Sequence, residues 1–160
     1  MKKLLFSFIT LAILLTSCGP DPVKYNDTLV DYSKKAIENY DLIAESLNEA
    51  NESDDYSKMA NISQAVVDSI NMRIDAIKAL ETPSGAEDFQ KAVVKYLEAL
   101  TDVAKAYSGF TILDDENVTD EQVTGVVSTI EEKDKVLADL IQEVNDAQVA
   151  FAKAKNFELK

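Results

Sequence analysis

The chain has no histidine, and only one cysteine, three prolines and four glycines in 160 residues. Without histidine, histidine-based catalytic triads, histidine-ligated zinc, histidine-held haem and the Glu-x-x-His di-iron pairs of some helical bundles are all excluded. The glycines, Gly19, Gly85, Gly109 and Gly125, are too scattered to form a phosphate-cradling loop. A single cysteine rules out an internal disulfide, so core packing must supply the stability. No apolar run reaches the roughly 20 residues that a permanent membrane-spanning helix needs. Nowhere do polar and apolar residues alternate as they would in a strand. Positive charge is scarce too, with 16 Lys and Arg against 29 Asp and Glu and a formal net charge of −13. That balance repels nucleic acid and anionic lipid heads alike.

Carboxylates are plentiful. A pair of them is enough to hydrolyse a glycoside, yet here they fall on helical spacings that read as solvated faces, with no sign of a substrate cleft. A carboxylate-dependent hydrolase is therefore a distant alternative, and the chain reads as a non-enzyme with no cofactor. Asp114-Asp115-Glu116-Asn117 offers oxygen ligands but lacks the alternating ligands and mid-loop glycine of a calcium-binding EF-hand, so no metal ligand is assigned.

Residues 1–17 read as a secretion signal. Lys2 and Lys3 precede an apolar run from Leu4 to Leu15, broken only by Ser7 and Thr10, followed by small Thr16 and Ser17. Pro20 and Pro22 stop any helix from running on. The stretch Leu15-Thr16-Ser17-Cys18 resembles the lipobox of bacterial lipoproteins. That resemblance implies cleavage before Cys18, a diacylglyceryl group on its thiol, and further acylation by a palmitate-type chain. Two or three such chains, at about 0.8 kcal/mol per buried methylene, make a near-permanent membrane anchor. Residues 18–23 would then be the lipidated tether. Loss of Lys2 and Lys3 would leave the mature domain two charges more negative.

Apolar residues in the remainder recur every three or four positions. Tyr25, Leu29, Tyr32, Ala36, Tyr40, Ile43 and Leu47 mark a first helix face; Ile62, Val66, Ile70, Ile74 and Ile77 a second; Phe89, Val93, Tyr96, Leu100 and Val103 a third. Val123, Val126, Ile130, Leu137, Leu140, Val144 and Phe151 mark a fourth, interrupted by a polar patch around Lys133 that reads as a turn or a kink. The spacing predicts helices over about 24–49, 57–81, 86–108 and 120–155 within one domain, 24–160. Asp21 ahead of Pro22, and Asp54 or Asp55, suit helix starts. Ser84 with Glu87, and Thr119 with Gln122, have capping-box spacing. Gly109 suits a left-handed helix end. Amphipathic helices joined by modest connections give an all-α fold: an antiparallel up-down-up-down four-helix bundle with a long fourth helix.

In that arrangement the connections 48–57 and 108–122 share the tip remote from the anchor. Between them they carry Asp54, Asp55, Asp114, Asp115 and Glu116 around an apolar trio, Phe110, Ile112 and Leu113, with no lysine or arginine. An acidic rim around an apolar patch is one form a docking site for a protein or basic ligand takes. The same trio equally well plugs the open end of a bundle, with the acids keeping that end soluble. At the opposite end Lys153, Lys155 and Lys160 interleave with Phe151 and Phe157. That pattern suits a helix C-terminus and the end of a core, or contact with lipid heads.

YNDTLVDYSKKAIENYDLI, EDFQKAVVKYLEAL, TDEQ and AQVAFAKAKNFEL together resemble a family of small bacterial surface lipoproteins of Leptospira and Bacteroidetes type. The resemblance implies a helical lipoprotein of the cell envelope with no established activity and no functional residue to carry over beyond Cys18. Gly19, in place of the Asp that retains lipoproteins at the inner membrane, favours the outer membrane. Two roles fit: a surface binding module, or an envelope structural or assembly component facing the periplasm.

Overall fold

The computed structural model describes residues 19–159, so the expected leader and Cys18 lie outside the described residues. The described chain is an all-helical bundle. Four α-helices are present: α1 (Pro22–Ser53), α2 (Met59–Lys78), α3 (Glu87–Ala106) and α4 (Asp120–Lys155), with a 3₁₀ helix, Tyr107–Asp114, after α3.

The starts of α1 and α4 follow their sequence signals. Asp21 caps α1, its carboxylate accepting from the N–H groups of Val23 at 2.9 Å and Lys24 at 3.3 Å, while Pro22, which has no N–H to satisfy, takes the first turn. Thr119 and Gln122 form a reciprocal capping box at α4. Three expectations need correcting. Ser84 and Glu87 make no capping box. Instead, Ala86 N–H bonds the Pro83 carbonyl at 3.0 Å across a turn whose third residue, Gly85, has φ +81°, a conformation that a β-carbon opposes. Asp54 closes α1 in the left-handed region rather than opening α2, and α2 starts at Met59 with no side-chain cap. Of the two readings of the polar stretch near Lys133, the turn is excluded, because the 36-residue α4 runs through it.

Gly109 is the fourth difference. It does not adopt positive φ, and α3 passes into the 3₁₀ helix instead of ending there. Its role is close approach: a β-carbon at Gly109 would stand 3.1 Å from both methyls of Val126 on α4. Gly109→Val is therefore expected to wedge the 3₁₀ helix off α4 and cost about 1–3 kcal/mol. A β-carbon at Gly125, inside α4, meets nothing within 4 Å, so Gly125→Ala is expected to gain about 0.5–1 kcal/mol by restricting the unfolded chain. Urea unfolding followed by circular dichroism reads both signs.

The core is aliphatic along its length and aromatic towards both ends. Leu29, Ile43, Ile70, Ile77, Leu97 and Leu100 are each at most 1% exposed. At one end Phe151 of α4 lies edge-on to Tyr25 of α1 at 6.2 Å, stacks on Phe89 of α3 at 6.0 Å and meets Phe157 at 5.5 Å. At the other, Tyr107 sits between Tyr40, at 6.1 Å, and Phe110, at 6.0 Å. Helices consecutive in sequence pack on one another: α1 on α2, α2 on α3 and α3 on α4.

Candidate functional site

The acidic tip takes shape where the α1–α2 connection meets the end of the 3₁₀ helix. Asp114 joins the two: its carboxylate accepts the Tyr56 backbone N–H at 2.8 Å. Tyr56, 8% exposed, in turn donates its hydroxyl to the Asn51 side chain at 2.6 Å. Asp55 accepts from the Ser57 hydroxyl at 2.6 Å and the Ser57 N–H at 3.1 Å. Those bonds hold the Asp55 carboxyl below the ordinary carboxylate range, the hydroxyl contributing most. Asp115 bonds the N–H of Asn117 at 2.9 Å. Asp54, Asp55, Asp114, Asp115 and Glu116 are all exposed.

Two of the apolar trio serve the core. Phe110, Ile112 and Leu113 are half-buried, and Phe110 and Leu113 pack against the core cluster. The tip is therefore a capped end with an acidic rim, in which Asp114 and Asp55 are engaged in holding backbone. Asp114→Ala is expected to orphan the Tyr56 N–H and cost about 1–2 kcal/mol, while Asp114→Asn, which keeps an acceptor, retains most of the stability. Guanidinium melts of the two variants separate the outcomes. Among the described residues no group of three acidic side chains is placed to hold a metal ion, and no helix is long and apolar enough to cross a membrane.

A second feature escapes the sequence. The seam between α1 and α4 stays open as a groove of about 440 Å³. Phe89 and Val93 of α3 contribute to its lining together with Val30 and Ile37 of α1 and Val144 of α4. Gln148 closes one end by donating to the Asn26 side chain at 2.8 Å. Further along α1, the Tyr40 hydroxyl donates to the Tyr107 hydroxyl at 3.5 Å, and burial, above all, pushes the Tyr40 hydroxyl far up. Burial also raises the Asp134 carboxyl. The signal for this groove was present but ambiguous: Val30 and Ile37 are apolar yet fall beside the main α1 stripe, and periodicity does not say which neighbour such residues face.

The expected site residues thus divide three ways. Cys18 lies outside the described residues; the tip residues of the two connections come together, with Phe110 and Leu113 turned to packing; and the aromatic end, Phe151 with Phe157, completes the core beside exposed Lys153. Compared with known protein families, curated proteins and solved structures, the chain matches none of them.

Proposed function

We propose that this chain is a lipid-anchored protein of the bacterial cell envelope, acting without catalysis as an interaction module held close to the membrane. The observation that carries this reading is the register of Lys2-Lys3, the Leu4–Leu15 run and Leu15-Thr16-Ser17-Cys18, followed within three residues by the capping Asp21 of a long helix. So short a tether holds the start of α1 against the membrane surface. Tyr25 against Phe151 at one end, and Tyr56 bonded to Asp114 at the other, support an antiparallel up-down-up-down order. In that order the acidic tip points away from the lipid, towards a protein or basic ligand, and nucleic acid is disfavoured by charge. Gly19 after the cysteine favours the outer membrane.

Protease shaving of intact cells, with lysed cells as control and an epitope at the C-terminus, tests where the module works. Loss of the intact band from whole cells is the expected result for a surface module. Protection until lysis would move the protein to the periplasmic face and favour an envelope structural or assembly role.

A further inference from the structure

The structure assigns Asn117, at the rim of the acidic tip, as the acceptor of an N-linked glycan. This rests on the proposed export of the chain, since such transfers act on secreted proteins. Four triplets have the acceptor pattern, an asparagine two residues before a serine or threonine: Asn26-Asp27-Thr28, Asn51-Glu52-Ser53, Asn61-Ile62-Ser63 and Asn117-Val118-Thr119. The letters do not choose among them. A transferase has to grasp the amide and the hydroxyl together, and the fold offers that at one triplet.

The first three triplets are helical, and in a helix residues i and i+2 do not share a face. Asn26 is 6% exposed and tied to Gln148 and Asp27, while Thr28 donates its hydroxyl to the Lys24 carbonyl at 2.8 Å. Asn51 holds the Tyr56 hydroxyl, and Ser53 donates to the Glu49 carbonyl at 2.8 Å. Ser63 is 1% exposed. The fourth triplet differs on each count. Asn117 is exposed in the turn between the 3₁₀ helix and α4, and its Nδ2 makes one long bond, 3.2 Å, to Asp115. Thr119 is exposed too, in extended backbone at φ −102° and ψ 152°, where alternate side chains point the same way. Its hydroxyl is held by the Gln122 side chain at 3.1 Å, a surface bond that the transferase must open. A glycan on Asn117 displaces no core residue.

The donor class is a sugar carried on a polyprenyl pyrophosphate. Nδ2 of Asn117 attacks the anomeric carbon; the C–N bond forms as the bond to the pyrophosphate oxygen breaks. The electron pair leaves with the lipid pyrophosphate, and one Nδ2 proton passes to water.

The test incubates the folded full chain with a bacterial oligosaccharyltransferase and polyprenyl-pyrophosphate-linked chitobiose, read by intact mass. One addition is expected on wild type and on Thr119→Ser, and none on Asn117→Gln or Thr119→Asp. Thr119→Asp loses the acceptor pattern but keeps a helix cap, and circular dichroism confirms that both unmodified variants are folded. No addition to wild type, or an addition that survives Asn117→Gln, overturns the assignment. Protein from cells fed labelled palmitate separates this proposal from the anchor. Palmitate label without a glycan on Asn117 overturns the glycan and leaves the anchor standing, whereas a glycan without label upholds the site and removes the anchor.

Discussion

Phe151→Ala is expected to lower stability by about 3–5 kcal/mol, the range for removing a buried aromatic ring and leaving its cavity behind. The ring is 2% exposed and touches three parts of the chain at once: Tyr25 on α1, Phe89 on α3 and Phe157 beyond the end of α4. No neighbour can slide into the space without abandoning another contact, so relaxation recovers little. Domains of this size are typically stable by only about 5–15 kcal/mol, and the variant should melt about 10 °C or more below wild type. Phe157→Ala, at a half-buried position reached only after the helix has ended, should cost a fraction as much. Thermal unfolding of the pair decides: equal small losses would mean that the aromatic end is not the joint between α1, α3 and α4.

Cys18→Ser should abolish lipidation altogether. The proposed modification forms a thioether from the cysteine sulfur, and a serine hydroxyl does not replace a thiol in that step because it is far less acidic and less nucleophilic. Cells fed labelled palmitate are expected to show no label in the variant, and the protein should keep the mass of the uncleaved chain. The energetic contrast is large, since each buried methylene contributes about 0.8 kcal/mol and two or three chains are lost together. Label retained by Cys18→Ser would place the acyl group elsewhere and remove the basis of the anchor. The helical domain should be unaffected, because α1 is capped by Asp21 and its first buried side chain is Tyr25.

The helices were legible because each buries a stripe, and a stripe has a period. Leu29, Ala36 and Ile43, or Val66, Ile70 and Ile77, sit 3% exposed or less where the spacing puts them. Ends were less legible, since several motifs satisfy the same orphan groups. Ser84-x-x-Glu87 has the letters of a capping box, yet Gly85 turns the chain so that Ala86 becomes the boundary. Gly109 looked like a helix stop, but what requires glycine there is Val126, 17 residues further on, which no local pattern reveals. The tip followed the same logic. Composition found Phe110, Ile112, Leu113 and the acids together, but only packing shows that Phe110 and Leu113 finish a core and that Asp114 is committed to a backbone N–H. The open seam depends on which helices touch, and amphipathic faces alone do not determine that.

Packing between sequence neighbours also sets a timetable. Bundles built from local contacts fold in microseconds to milliseconds, far faster than a ribosome adds residues. Here α3 buries Phe89, Val93 and Tyr96, and α4, the last 36-residue element, supplies one of the walls that covers them. At about 5–20 residues per second, synthesis of those 36 residues takes about 2–7 s. For that interval α1 to α3 exist with one flank of α3 bare, a core still waiting for its last wall. The order of the helices along the chain thus delays completion of the core until the final helix emerges.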